Sequence, residues 1–368
     1  MEEVPFDDRR VPKAEIDWDR SCWWWYPLSR ALHPAMRSSS LIFSLIGILV
    51  AAGGWQLGKW LFDPALGEVG SPIIHPVGLF SSQLLGWIAW LRDNLLSLQS
   101  LGVREFSFLS FEFVWLAVTL SMFGGLIARR SIVELGQRTV APWGESLKLV
   151  LSRWQSFLWA AMMHLVGIGL LLLPPLLFGL ISRLGSAGAI VGGILLLLFF
   201  PIVFGIGRFA VSLMLCFPLC VCAIATEKKA DAFEGFSRSN AYFFQRPVVA
   251  IIFAILLLAT GYIGEQLVYW TLSFGWGLVR FAYLWSGGAT GASVDSFVYA
   301  GNWFTQALIS AFWFSYLWSA SGAIYLILRR CVDHTELDEI DASESPLEQS
   351  LPEIPPAPSM ANPVQPAE

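Results

Sequence analysis

Cysteine, histidine and charge are all scarce in this chain. Five cysteines and four histidines stand among 368 residues, and Asp, Glu, Lys and Arg together make up 14%. Cys216, Cys220 and Cys222 share one apolar run, while Cys22 and Cys331 flank the apolar body at opposite ends. No disulfide framework is written that way, and the thiols read as small packing residues. His33, His75, His164 and His334 are too scattered for a metal cluster. HExxH, GxSxG, paired-cysteine zinc spacings and a phosphate-binding loop are all missing. Gly205-Ile-Gly207-Arg208-Phe209-Ala210 imitates a dinucleotide fingerprint, with Glu227 roughly 20 residues on. It lies inside a continuous apolar run with no room for a strand, turn and helix. The expectation is therefore no catalytic residue, no cofactor, no metal and no enzyme activity. Before Leu41 there is no compact apolar run, so a cleaved signal peptide is not expected either.

What the chain has in quantity is grease. Hydrophobic residues make up 55%, with 18 Trp and 27 Phe, and mean hydropathy is +0.60. Such a profile belongs to an all-α, polytopic transmembrane bundle rather than a soluble core. The net charge of −5 conceals an asymmetry. Nine acids (Asp333, Glu336, Asp338, Glu339, Asp341, Glu344, Glu348, Glu353, Glu368) lie in a tail without Lys or Arg, which leaves 23 basic against 19 acidic side chains elsewhere. That tail also carries seven prolines from Pro346 to Pro366, and residues 331–368 are expected to be a disordered cytoplasmic tail. As a function it suits a linear docking peptide for a protein partner; as plain structure, a solvated terminus.

Six spans are expected, at about 40–62, 108–128, 156–182, 187–226, 247–274 and 303–328. Residues 1–39 form a charged, then aromatic segment whose Cys22-Trp23-Trp24-Trp25-Tyr26 cluster suits headgroup depth. In the first span Gly54-x-x-x-Gly58 suits a close helix contact. Between the first two spans, Val77–Leu98 reads as an interfacial helix on the far side. The apolar block 187–226 is long enough for one kinked helix or a hairpin, and charge decides for one bent near Pro201. With a single crossing there, 17 of 23 Lys and Arg fall on one side, and positive-inside placement puts both termini in the cytoplasm of a cell (inner) membrane protein. A Gly- and Ser-rich outer loop, Ser286–Gly301, is expected between the last two spans.

Two amphipathic helices are expected to form elbows on the cytoplasmic side. The first covers Glu145–Phe157, with Leu147, Val150, Leu151, Trp154 and Leu158 on one face. The second opens at Asp231 with Glu234 three positions on, the spacing of a capping box, and ends at Arg246-Pro247. Phe233, Phe236, Asn240, Phe243 and Phe244 form a side whose rings are expected in the acyl boundary. Asp231, Glu234, Ser237, Arg238, Arg246 and Pro247 define the elbow motif. Because both elbows join two spans on the same side, spans two and three resemble spans four and five as a parallel duplication.

Three segments together resemble an uncharacterised family of bacterial polytopic inner-membrane proteins, common in planctomycete-type bacteria. They are Gly124-Gly-Leu-Ile-Ala-Arg129-Arg130, the elbow from Asp231 to Pro247, and Ile324-Tyr325-Leu-Ile-Leu-Arg329-Arg330-Cys-Val-Asp333-His-Thr-Glu336-Leu-Asp338-Glu339. The chain departs from that pattern at Lys228-Lys229 and at Arg208. More distantly the elbows are similar to those in the membrane domain of some glycerophosphodiester phosphodiesterases. The resemblance implies a membrane fold and no activity, since no soluble catalytic domain accompanies it.

Chemistry, if any, is expected at an intramembrane polar layer. Arg208 lies 18 residues from Thr226, Glu265 18 from Pro247 and Glu112 17 from Arg129. At about 1.5 Å per residue all three share a depth of roughly 26 Å, and Arg208 is expected to pair with one of the acids. His164 reads as a hydrogen-bonded core residue more than as a proton relay. The basic elbows suit the lipid bilayer, with anionic headgroups as partners, and not nucleic acid. Two function classes follow: a membrane scaffold or accessory protein working through elbows and tail, or a transporter or lipid-handling protein using an outward-facing polar layer. A filled bundle interior favours the first and a continuous cavity the second.

Overall fold

The computed structural model describes residues 25–62, 103–227, 230–287 and 292–340. The expected far-side helix Val77–Leu98, Lys228-Lys229 and most of the acidic tail lie outside the described residues. Two short helices, α1 (Tyr26–Arg30) and α2 (Leu32–Ala35), precede α3 (Ser38–Phe62), α4 (Val103–Gln137), α5 (Trp143–Ser152) and α6 (Trp154–Ser182). Then come α7 (Ser186–Leu198), α8 (Ile202–Val211), a π-helical turn (Ser212–Cys216), α9 (Phe217–Thr226), α10 (Ala232–Gln245), α11 (Pro247–Gly287) and α12 (Ala292–Asp333). No strand occurs among the described residues. Six helices are long and apolar enough to cross a membrane: Ser38–Phe62, Phe106–Gln137, Trp154–Ser182, Ile202–Thr226, Pro247–Ser286 and Ser296–Asp333.

Small residues let these helices approach. Where apolar helices meet in lipid, burial supplies no hydrophobic gain, and dispersion contacts between closely set backbones hold the pair instead. Both glycines of the GxxxG sequence in α3 do this. Gly54 receives the ring of Trp115 and Gly58 receives Glu112, Phe108 and Phe111, all on α4. The Trp115 indole also donates to the Val50 carbonyl (3.0 Å). On the other face of α4, Gly124 is a seat for Trp318 of α12. Gly261 and Gly264 of α11 take Tyr316, Trp313 and Phe312 of α12 in the same manner. Helix α12 therefore sits at the centre, against α3, α4 and α11.

The block 187–226 is bent: Ser186–Leu198 is a short apolar helix, and the helix long enough to cross a membrane is Ile202–Thr226. Gly188 and Gly192 lie against Ile181, Phe178 and Ser182 of α6, then Gly205 against Leu171, and Phe209 against Gly167. As the chain advances, its contacts retreat steadily along α6, so α7 and α8 continue in one direction. The break falls at Phe199–Pro201, where proline ends the hydrogen-bonding ladder.

The last two helices outrun the expected spans 247–274 and 303–328. They are 41 and 42 residues long, about 60 Å each, twice a hydrocarbon core. The expected outer loop Ser286–Gly301 is correspondingly wrong at Ser286-Gly287 and from Ala292 to Gly301, which are helical. Polar side chains there do not end the helix. Thr305 returns its hydroxyl to the Gly301 carbonyl (2.9 Å), Gly301 seats the Trp276 ring, and that indole donates to Asn302 Oδ1 (2.7 Å). Hydropathy marks where the grease stops, not where the helix does.

Candidate functional site

One end of the bundle gathers most of the described charge. There α4 ends, α5 crosses, α6 begins, α9 ends and α11 begins. The carbonyls that close α9 have no partner within the helix and carry its negative dipole end. Two arginines from other helices satisfy them: Arg129 of α4 donates to Ala225 O (2.9 Å), and Arg153, between α5 and α6, donates to Ile224 O and Glu227 O (both 2.7 Å). Arg129, Arg153 and Glu227 thus lie at the same end of the bundle.

Glu227, the first residue after α9, is the knot. Its Oε1 accepts from the Tyr325 hydroxyl (2.7 Å) and pairs with Arg329 Nε (3.3 Å), both on α12. Its Oε2 lies 3.6 Å from Arg238 of α10. A second knot ties the N-terminal segment: Glu134 of α4 meets His33 Nδ1 (2.6 Å) and Arg37 Nε (2.9 Å). Arg130 donates to Ala141 O (3.0 Å) and Ser39 Oγ (3.2 Å) while lying 3.4 Å over the Trp143 ring.

The second elbow starts as its sequence says. Asp231 Oδ1 accepts from the Glu234 amide (2.8 Å), and Glu234 pairs with Arg238 one turn on (2.6 Å). Of the rings expected in the acyl boundary, Phe233 and Phe244 are exposed on the protein surface and Phe243 is buried. Ala232, Gly235, Ser239, Tyr242 and Phe243 are buried, whereas Phe233 is exposed. The small residues win because α10 folds back against α9, and Gly235 admits Ile224 and Cys220 at close range. Phe236 turns inward onto His164 and Phe209. Tyr242 donates a short hydrogen bond to Asp333. Burial, and then the carboxylate of Asp333, push the Tyr242 phenol above its ordinary value. Ser237 is exposed, and Pro247 opens α11.

The first elbow, α5, is the more peripheral. Val150 is buried, but Leu147, Leu151 and Trp154 form an exposed apolar stripe. Both elbows end in the same way, with an arginine in non-helical conformation at the junction to the next span: Arg153 (φ −109°) and Arg246 (φ −132°).

The expected polar layer is not brought together. Arg208 lies over the Phe244 ring (4.8 Å to the centroid) and pairs with neither acid. Glu112 is buried against α3, and neither of its oxygens has a hydrogen-bond partner among the described residues. Glu265 is buried on α11. Between Arg208 and Thr226 the chain passes through the π-helical turn Ser212–Cys216, which changes the facing of Arg208 from that of a regular helix.

His164 is buried and bonded, with one partner on its own helix and one on the π-helical turn. Its Nδ1 meets the Ala160 carbonyl (2.8 Å) and its Nε2 the Ser212 hydroxyl (3.0 Å), the first residue of the π-helical turn. Ser212 also reaches Asn240 Oδ1 (2.7 Å), whose Nδ2 donates to Phe236 O (2.8 Å). Ala160 O only accepts, so Nδ1 carries a proton. Asn240 presents its oxygen to Ser212, so the single hydroxyl proton serves either Asn240 or a neutral His164, not both.

Sequence reasoning missed Glu227, Arg153, Tyr325, Ser212 and Asn240. Glu227 was legible as a lone acid closing an apolar run, just ahead of Lys228-Lys229. Ser212 and Asn240 carry no such signal. Among the described residues no group of three or more His, Cys, Asp or Glu could hold a metal. Comparison with protein-family models, with curated proteins and with solved structures finds no match to this chain.

Proposed function

We propose that this chain is a scaffold or accessory protein of the cell (inner) membrane, with both termini on the cytoplasmic side, and that it works through its elbow end and acidic tail. The observation that supports this best is the filled centre of the bundle. Trp318, Tyr316, Trp313 and Phe312 of the central helix are seated on glycines of α4 and α11, and Trp115 on one of α3. Rings in such seats fill the contacts of α12 with α4 and α11, and packed interiors do not deform continuously to admit a solute there. The skew of Lys and Arg supports the orientation.

A second reading, lipid handling or transport, has one observation in its favour: the buried His164, Ser212 and Asn240 chain beside a π-helical turn, a feature frequent at functional sites. Reconstitution separates the two. Full-length protein in liposomes is expected to raise neither ion leak nor lipid scrambling above protein-free vesicles, while photo-crosslinked adducts formed in cells by the full chain are lost when residues 341–368 are removed. Catalysed flux or scrambling overturns the scaffold reading.

A further inference from the structure

The two junction arginines have different fates. Arg153 donates to two main-chain carbonyls at the end of α9, whereas Arg246 is exposed and makes no hydrogen bond or ion pair among the described residues. It stands at the mouth of an open cleft of about 560 Å³ between the start of α11 and the end of α12, lined by Val249, Arg330, Cys331, His334 and Glu336 besides itself. Within the cleft are two guanidinium groups, one imidazole and one carboxylate. The first turn of α11 adds the amides of Val248 and Val249, which precede the first in-helix donor, Ala250 to Arg246 O (3.0 Å), while Pro247 has none.

That carboxylate is already bound. Glu336 Oε2 lies 2.9 Å from Arg330 Nη1, reaching back from six residues down the chain, and its side chain is 55% exposed. The turn that allows this is made by His334 in the left-handed region (φ 56°), just past the end of α12. The nearby Asp333 is held away by Tyr242. Arg330 thus carries an internal, solvent-accessible anion, and Arg246 carries none. An oxyanion with several acceptor oxygens can take both guanidiniums at once, which one carboxylate from the same chain does not.

We infer that this cleft binds the phosphate of an anionic membrane lipid, with Arg246 and Arg330 as its ligands and Glu336 as an internal competitor. The lipid source follows from position: the cleft opens where two membrane-crossing helices meet the elbow, at headgroup level if the bundle is embedded. Free phosphate shares the chemistry and is separated by the test. The inference narrows the headgroup expectation to one site, and its failure leaves the scaffold reading standing, because that reading is tested by flux and by the tail.

The experiment uses delipidated full-length protein in a neutral detergent, titrated with phosphatidylglycerol, phosphatidylcholine or inorganic phosphate and read by native mass spectrometry and thermal shift. Phosphatidylglycerol is expected to bind and phosphatidylcholine to bind at least tenfold more weakly. Arg246→Gln and Arg330→Gln should each weaken phosphatidylglycerol by roughly tenfold, the scale of one charge-assisted contact. Glu336→Gln should strengthen it several-fold, a gain that misfolding cannot produce. Arg183→Gln, beyond the far end of α6, should change nothing. Equal binding of the two lipids, unchanged binding after both arginine changes, or weaker binding in Glu336→Gln overturns the site. Displacement of the lipid by inorganic phosphate at equal concentration overturns the lipid as its source.

Discussion

Replacing Glu227 with Gln tests whether the knot at the end of α9 holds three helices together. The isosteric amide keeps an acceptor for Tyr325 but removes the charge facing Arg329 and Arg238. The side chain of Glu227 is 18% exposed and that of Arg329 11%, while Arg238 is 37% exposed and has Glu234 as a second partner. The Arg238 arm, screened by solvent, contributes about 0.5 kcal/mol. Breaking the Arg329 arm leaves a largely buried cation short of its partner, which in buried pairs costs about 3–5 kcal/mol. Arg329 keeps one hydrogen bond, to Glu339 O (2.8 Å), and Gln keeps a neutral acceptor, so the cost falls just below that range. The expected loss is about 2–3 kcal/mol, or roughly 30- to 150-fold in the unfolding equilibrium. Unfolding in mixed detergent and dodecyl sulfate micelles measures it. Tyr325→Phe should cost about 1–2 kcal/mol and combine non-additively with Glu227→Gln, because both act on one oxygen. Arg238→Gln should cost under ~1 kcal/mol. A Glu227→Gln protein within about 0.5 kcal/mol of the parent, or more sensitive to Arg238 than to Arg329, would refute the reasoning.

Two further outcomes are expected. Gly124→Ala puts a methyl group into the ring of Trp318 and should destabilise by about 1–3 kcal/mol, partly restored by Trp318→Phe, whereas Gly179→Ala, whose added carbon meets nothing within 4 Å, should be neutral by the same unfolding measurement. Tyr242→Phe loses the hydrogen bond to Asp333 and should lower the melting temperature at neutral pH. The raised phenol ionisation means the parent's advantage is complete below the ordinary tyrosine value of about 10 and shrinks as pH climbs towards the folded value. Melting curves from neutrality into the alkaline range should therefore converge, and a gap that widens above pH ~10 would contradict this.

The number of crossings was legible because it depends on grease and positive charge, which the chain displays openly. The GxxxG contact and the Asp231 cap were legible too, each being local chemistry. Other features were decided by neighbours. The buried side of α10 follows from how closely α9 can approach, so Ala232, Gly235 and Ser239 outrank a row of phenylalanines that looks more hydrophobic. The lengths of α11 and α12 follow from Trp276 finding a seat at Gly301, a pairing across 25 residues that no hydropathy window contains. Arg208 looked like half of an ion pair because depth was counted along straight helices. The π-helical turn between Arg208 and Thr226 made that count unsafe, and Phe244 offered a ring instead.

The arginines that produced the charge skew have a consequence for how this end meets a bilayer. Arg129, Arg130 and Arg153 cap carbonyls or stack on Trp143, and Arg37 and Arg329 face the carboxylates Glu134 and Glu227. Cations engaged in this way fix the helix ends in register but project little field into the headgroup layer, since each is matched by a dipole or an acid at contact distance. Counting Lys and Arg therefore tells which ends lie together without telling where lipid charge is felt. That falls to groups left outward, of which Arg246 is the best framed by structure. If lipid phosphate engages this end at one defined place, the place is the mouth of the α11 and α12 cleft, where the junction arginine of the second elbow lacks the carbonyls that occupy its counterpart in the first.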